Sequence, residues 1–264
     1  MTRRGFPCAL LLALAACNYT GESAAPYRPA TVVSTPLAHS GQQLWLRDCA
    51  WCHGRAGEGT TRAPDILRDP GGPALVDFVL TTGRMPIEDP DERVVPGEVA
   101  YREEQIAALV AYSRTLEAEG FDVPVLRSGT ADLALGQHLY QENCAACHST
   151  TGIGGALTKG RPGEEGAPNS GFIAPDLHRS TPTQIAEAIR TGPGTMPVFG
   201  SGVFDDDELN AVVDYVAYLQ EPDDRGGGPI GRIGPVAEGA VGWIIGLGLM
   251  VAFARWIGTR RGDP

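Results

Sequence analysis

Positive charge is scarce in this sequence and unevenly spread. Its 264 residues hold 21 Lys and Arg against 32 Asp and Glu, a formal net charge of -11. Arg3, Arg4, Arg255, Arg260 and Arg261 sit near the two ends, and with residues 1–17 and 236–264 set aside, 16 basic residues face 30 acidic ones, a net -14. A middle of that sign repels the phosphate backbone, which excludes nucleic acid as a partner and favours a basic protein or a cation. Sulfur is scarce too, with six cysteines and four methionines. Cys8 and Cys17 lie within the first 17 residues, so beyond the four motif cysteines described next no pair remains for a structural disulfide. Apolar residues are not scarce: 42% hydrophobic and 20% charged composition excludes a disordered or fibrous chain, while 35 Gly and 21 Pro demand long connections within one or two domains.

Four cysteines fall into two identical five-residue patterns, Cys49-Ala50-Trp51-Cys52-His53 and Cys144-Ala145-Ala146-Cys147-His148. Each reads C-x-x-C-H, the attachment motif for c-type haem. Two thiols three residues apart on one helical turn can form thioethers to the two vinyl groups of a single porphyrin, and the imidazole that follows is set to bind iron from one face. Cys49, Cys52, Cys144 and Cys147 are thus candidate attachment residues for two covalently held haem c groups, with His53 and His148 as candidate iron ligands. Two other readings compete. A thioredoxin-like dithiol calls for a strand ahead of the motif in a β-α-β setting, which neither copy has. A single zinc held by four thiols would leave both histidines incidental.

Both ends of the chain point to a membrane. Residues 1–17 have the layout of an export signal, with Arg3 and Arg4, an apolar stretch from Phe6 to Ala16, and small residues. About eleven apolar residues are too few to span a bilayer comfortably. The segment Leu14-Ala15-Ala16-Cys17 also resembles a bacterial lipobox, which would make Cys17 the lipid-bearing first residue of the mature chain. Cleavage without lipidation and retention of the leader as an anchor are the alternatives, and in each case the middle is exported. A second apolar run, from Val236 to Ile257, is interrupted only by Glu238 and Arg255. As a helix it would reach about 33 Å, enough for the hydrocarbon core, with both charges close enough to the interfaces to snorkel. A buried amphipathic helix would show a polar stripe, and the stretch from Gly239 to Ala254 shows none. Arg255, Arg260 and Arg261 follow, so the positive-inside bias places the C-terminus in the cytoplasm and the motif-bearing region outside the cell membrane.

An internal repeat ties the two halves together. The offset of 95 positions from Cys49 to Cys144 also maps Gly41 onto Gly136 and Trp45 onto Tyr140. Beyond the motif the offset grows to 111: Ala63-Pro64-Asp65 matches Ala174-Pro175-Asp176, and Met85-Pro86 matches Met196-Pro197, so the second half carries a 16-residue insertion. At offset 103, Tyr112 and Leu116 match Tyr215 and Leu219. The inserted loop, Gly152 to Gly171, is rich in Gly, Pro and charge, and regular structure is not expected in it. Thr181-Pro182-Thr183-Gln184 combines a capping box with proline at the first helical position, which predicts a short helix ending near Thr191. Asp205 with Glu208 predicts the start of a last soluble helix that runs to about Gln220. His39, His138 and His178 have no histidine at the equivalent place in the other half and read as solvated side chains.

The order of haem-binding helix, proline loop, short helix, methionine loop and closing helix resembles class I cytochrome c, twice over. The resemblance implies an all-α chain: leader 1–17, linker 18–36, first domain 37–120, linker 121–128, second domain 129–222, Gly-rich linker 223–235, transmembrane helix 236–257 and cytoplasmic tail 258–264. It implies that Met85 and Met196 are the second axial ligands, and that the carbonyls of Pro64 and Pro175 accept a hydrogen bond from the axial histidines. It also implies that the terminal helices of each half cross where Gly41 and Trp45 face Tyr112, and where Gly136 and Tyr140 face Tyr215. A lone methionine would read as core filler. Here Met1 opens the chain and Met250 lies in the apolar run, which leaves two methionines at equivalent places in the repeat. A thioether opposite an imidazole favours ferrous iron and raises the potential, as suits an electron carrier.

Two such domains ahead of a C-terminal span are similar to the dihaem cytochrome c subunit of actinobacterial-type menaquinol:cytochrome c reductases, the cytochrome bcc complexes that form supercomplexes with a haem-copper oxidase. The residues that carry this likeness are Gly83-Arg84-Met85-Pro86, Gly154-Gly155-Ala156-Leu157, Ala174-Pro175-Asp176-Leu177, Gly234-Pro235 through Glu238-Gly239 to Trp243-Ile244-Ile245-Gly246, and Trp256-Ile257-Gly258. Members of that family usually keep a longer N-terminal hydrophobic anchor, from which this leader departs. The likeness implies a cytochrome b subunit as a partner, a Rieske iron-sulfur protein that supplies electrons to the first domain, and a haem-copper oxidase whose copper centre draws them from the second. No residue need act as acid, base or nucleophile. Competing readings are a dihaem peroxidase, which needs an open iron site, and the cytochrome subunit of a periplasmic dehydrogenase or of a different oxidase. Two-haem oxidase subunits place their anchor ahead of the haems. A freely diffusing shuttle is a further reading, against which the run from Val236 argues.

Overall fold

Caps written into the sequence start most of the helices. The computed structural model describes residues 35–68, 71–91, 94–116, 119–127, 132–155, 158–159, 172–222 and 235–260. The leader with Cys17, residues 223–234 of the Gly-rich linker and residues 261–264 lie outside them. Helix α1 (Pro36–Asp48) opens with Thr35 Oγ1 accepting from Ala38 N, and Pro36 at its first position. After it come the one-turn helix α2 (Ala50–His53), α3 (Pro73–Thr81), and α4 (Glu103–Ser113), which ends in a 3-10 turn, Arg114–Leu116. The second half repeats the order with α5 (Leu133–Asn143), α6 (Ala145–His148), α7 (Pro182–Thr191) and α8 (Asp206–Gln220). The capping boxes expected at Thr181 and at Asp205 are both formed, with Thr181 Oγ1 accepting from Gln184 N and Asp205 accepting from Asp207 N and Glu208 N.

Each half is closed by a crossing of its first and last helices, α1 on α4 and α5 on α8. A side chain at Gly41 would put its Cβ 1.9 Å from the carbonyl oxygen of Ala108, and one at Gly136 would meet the carbonyl oxygen of Ala211 at 2.0 Å. The backbones therefore touch at both crossings, and only glycine fits there. Aromatic rings pack beside the contact: Trp45 lies 6.1 Å from Tyr112, and Tyr140 lies 5.5 Å from Tyr215. Tyr112 and Tyr140 are fully buried. Around them sit two separate cores, one built on Trp45, Val76, Leu80, Leu109 and Leu116, the other on Tyr140, Ile185, Ile189, Leu209 and Val213.

The two halves also touch each other. Helix α3 packs on α7, its counterpart in the repeat, and Gln184 Nε2 donates to Thr81 O across the contact at 3.2 Å. The connection between the halves is docked on both: Ala74 N donates to Phe121 O, Arg127 N donates to Asn210 Oδ1, Val123 packs on the first core and Leu126 on the second.

One expectation needs correction. The inserted loop is not wholly irregular, because Thr158–Lys159 (β1) pairs antiparallel with Phe172–Ile173 (β2), Thr158 opposite Ile173. The ladder brings the two ends of the insertion together, and the bond from Gly155 N to Ala174 O continues the closure toward the core. A long excursion thereby leaves and returns at one point without disturbing the helices on either side.

Helix α9 (Pro235–Arg260) ends the described chain. Its segment Gly239–Thr259 is long and apolar enough to cross a membrane, and Trp243, Ile244, Leu249, Val251 and Phe253 are all exposed. Side chains of this kind, exposed on a helix on which no other described element packs extensively, call for an apolar surrounding. Trp243 and Trp256 stand about one turn in from the two ends of the segment, where indole rings anchor a helix at the two interfaces.

Because both crossings leave no room for a methyl group, Gly41→Ala and Gly136→Ala are each expected to cost roughly 1–3 kcal/mol, the usual cost of overpacking. Each should weaken its own half. Thermal unfolding of each variant, followed separately in the two halves by hydrogen exchange, checks this, and a variant as stable as the parent would contradict the contact.

Candidate functional site

The two C-x-x-C-H motifs adopt the same local shape. Cys49 caps α1 while α2 restarts behind it, so that Cys52 N and His53 N both donate to Cys49 O, at 3.1 and 2.9 Å. In the second half Cys147 N and His148 N donate to Cys144 O at the same two distances. The tight turn holds the two sulfurs and the imidazole of each motif on one short element.

Each histidine is then fixed by a distant carbonyl. His53 Nδ1 donates to Pro64 O at 3.1 Å, and His148 Nδ1 donates to Pro175 O at 3.1 Å. Donation from Nδ1 fixes the tautomer, so the lone pair sits on Nε2. Burial holds the pKa of both rings below the usual histidine value, which favours the neutral form that can bind a metal. His53 is half-buried and His148 is buried.

The loops that supply these carbonyls are seated on glycines. Gly59 N donates to His53 O and Gly154 N to His148 O, both at 2.9 Å. A Cβ on Gly59 would meet Asp65 N at 2.6 Å, and one on Gly154 would meet Ala174 O at 2.4 Å. Both glycines have positive φ, 77° and 80°. They are 95 positions apart, the same offset as the motifs, and that spacing is the signal by which sequence reasoning could have found the pair.

The carbonyls just after each motif are held from the crossing helices. Trp45 Nε1 donates to Gly54 O at 3.0 Å, and Tyr140 Oη donates to Ser149 O at 2.7 Å. Two different side chains at equivalent positions thus satisfy the equivalent carbonyl. Tyr112 Oη adds a bond to Arg55 O at 3.2 Å.

Met85 and Met196 lie on the loops that follow α3 and α7, each half-buried and each packed against the core of its own half. Arg84 N and Met85 N both donate to Val79 O, and Gly97 N donates to Thr82 O, which pins the first loop. The second is pinned by Met196 N donating to Pro193 O and Phe199 N donating to Ile189 O.

The thiols do not suit the competing chemistries. Burial pushes the Cys49 thiol up to about 12 and the Cys144 thiol to about 11, opposite to the depressed pKa of a redox dithiol. Among the described residues, no three His, Cys, Asp or Glu side chains come together as a zinc site requires. The residues fit two haem c groups: paired thiols on one turn, a neutral imidazole with Nε2 left for iron, and a thioether on a pinned loop. Of the unmatched histidines, His39 shares a hydrogen bond with Gln43, His138 sits near Glu142, and His178 Nδ1 lies 2.6 Å from Asp176.

Residues 38–117 match the family model described as cytochrome c, and residues 131–216 match the model described as cytochrome c oxidase, cbb3-type, subunit III. Two cytochrome c domains in one chain carry two haem c cofactors. The chain is 34% identical over 268 residues to the cytochrome bc1 complex cytochrome c subunit of Mycobacterium leprae, covering 95% of this chain and 87% of that protein. It is 31% identical to the subunit of the same description from Corynebacterium diphtheriae, over 85% of this chain and 81% of that one. Likeness to the cbb3-type cytochrome c oxidase subunit CcoP of Azospirillum is lower, 27% over 68% of this chain and 61% of the relative.

One position in the second site is strained. Ser149 has φ 63° and ψ 165°, while Gly54 at the equivalent place has φ 81° and ψ 166°. That region of backbone space is open to glycine and costs other residues on the order of 1–3 kcal/mol. Ser149→Gly should therefore stabilise the second domain by about 1 kcal/mol, visible as a rise of several degrees in its melting temperature. An unchanged or lower melting temperature would show that the bond between Ser149 Oγ and Thr151 Oγ1 outweighs the strain.

Proposed function

The chain belongs to the cytochrome c subunits of the cytochrome bc1 complex, and we propose that it relays electrons from a Rieske iron-sulfur protein of a menaquinol-oxidising cytochrome bc complex to the copper centre of a haem-copper terminal oxidase. The observation that carries this reading is that, on one chain with a C-terminal apolar helix, two C-x-x-C-H turns each have their imidazole held by a distant proline carbonyl.

In this reading Cys49, Cys52, His53 and Met85 would hold one haem c, and Cys144, Cys147, His148 and Met196 would hold the other. Pro64 and Pro175 keep the imidazoles oriented through their carbonyls. Bound in this way, the group supplies a one-electron iron couple that a thioether ligand shifts to higher potential. The chain's own residues keep the ligands still and the iron enclosed. None of them needs to move a proton or attack a substrate.

The cytochrome b subunit and the Rieske protein are the proposed neighbours of the first domain, and the oxidase that of the second. Helix α9 is the proposed single span, with Arg255, Arg260 and Arg261 on the cytoplasmic side and both domains outside. A lipid on Cys17 would add a second anchor. The match of residues 131–216 to an oxidase subunit model favours a second reading, a cytochrome subunit of a cbb3-type oxidase. The greater identity and coverage of the bc1 complex relatives weigh against it.

Two measurements test these assignments. Met85→Ala and Met196→Ala should each leave two covalently held haems per chain but lower the midpoint potential of one site, seen by redox titration with visible spectra. Potentials that do not move in either variant would remove both methionines as ligands. Purification of the native protein in mild detergent should bring down a cytochrome b and a Rieske protein, and co-purification with an oxidase alone would instead support the second reading.

A further inference from the structure

The contact between α3 and α7 contains a group that the electron-carrier reading leaves unused. Glu187, on α7, has 0% of its surface exposed, and among the described residues no N–H or hydroxyl group donates to either carboxylate oxygen. Facing it from α3 is Asp77, the one charged residue of that helix. Repeat symmetry does not explain the pair: at offset 111 the counterpart of Asp77 is Ala188 and that of Glu187 is Val76. One acidic pair therefore stands on a quasi-symmetric contact, on which Gln184 also donates to Thr81 O.

The cationic group nearest in sequence is committed elsewhere. Arg190, on the same helix, donates to Phe199 O and Phe204 O and pairs with Asp206. Helix α8, which also packs on α7, bears Asp206, Asp207, Glu208 and Asp214. Asp207 pairs with Arg127, Glu208 accepts from Asp205 N at the helix cap, and of all these carboxylates and Asp77 only Asp77 acts on Glu187. An ionised carboxylate that is fully buried with no donor and no cation, and that faces a second carboxylate, is too costly to persist. Burial first and Asp77 second raise the pKa of Glu187 from the ordinary value of 4.5 to about 10.

We propose that Glu187 is a protonated carboxylic acid at neutral pH and shares its proton with Asp77, and that this carboxyl pair locks the two haem domains together through α3 and α7. Parting the helices hydrates Glu187, returns it to ordinary acidity and releases the proton. Because the closed form holds the proton more tightly than the open one, the lock is complete below pH 4.5 and weakens as pH climbs toward about 10. Over that window the opening constant should rise by up to about tenfold per pH unit. The lock depends only on the two domains and is independent of which partners they meet.

Infrared spectra of the full haem-loaded chain in detergent test this. A protonated carboxyl stretch should be present at pH 7, vanish in Glu187→Gln, and titrate away near pH 10 in the parent. Asp77→Asn should keep that band but move its titration to lower pH, because the neighbouring negative charge is gone. Amide protection factors in α3 and α7 should fall with rising pH in the parent and stay flat in Glu187→Gln, with α1 and α5 as internal controls. No such band at pH 7, a band that survives Glu187→Gln, or an equal fall of protection in both proteins would overturn the proposal. Should Glu187→Gln fail to fold, the Asp77→Asn titration decides alone, and an unmoved midpoint there sinks the pairing.

Discussion

The near contact of helix backbones at Gly41 with Ala108, and at Gly136 with Ala211, is the constraint on which each half depends. Two helices that meet without intervening side chains have little freedom to slide or rotate. That fixes the C-terminal ends of α1 and α5, where the C-x-x-C-H turns begin. It also fixes Trp45, Tyr112 and Tyr140, whose polar ends reach the carbonyls of Gly54, Arg55 and Ser149 just past each histidine. A glycine far from any ligand atom thus determines where the imidazole stands. Widening either crossing by one methyl group would strain several hydrogen bonds together, which is why packing and site geometry cannot be tuned separately here.

The second layer of control is the carbonyl that each imidazole meets. Pro64 lies 11 positions after His53 and Pro175 lies 27 positions after His148, yet the bond is 3.1 Å in both. The extra chain in the second half is absorbed by the inserted loop, whose ends are joined by the short ladder and by Gly155 N to Ala174 O. What is held constant is the approach of the proline carbonyl to the ring, through the glycine seat at Gly59 or Gly154. This contact fixes the tautomer and orientation of the ring whatever the length of the loop.

Much of this was legible in the sequence because the repeat doubled every signal. The motifs, the two methionines, the prolines, the crossing glycines and the capping boxes at Thr181 and Asp205 all stand where the spacing puts them. The ladder between β1 and β2 did not show, because two-residue pairing leaves no periodicity and the surrounding Gly and Pro read as loop. Glu187 did not show either. On α7 it follows Ile185 and Ala186 in an amphipathic run, and its burial arises only when α3 of the other half covers it, a tertiary fact with no local trace. Ser149 was hidden for a similar reason: its strain is visible only beside Gly54, once the backbone angles are known.

Tether and charge set the position of the domain pair from opposite sides. The stretch 223–234 joins α8 and its short extension to α9, and twelve residues can extend at most about 40 Å, so the second domain cannot stray farther than that from the start of the membrane helix. Confinement of this kind keeps the domains within reach of a partner held in the same membrane. The middle of the chain carries a net -14, which favours a partner face of the opposite sign. A net charge of that sign also opposes binding to anionic lipid. The α3–α7 contact and the docked 121–127 connection hold the two domains to each other ahead of that stretch.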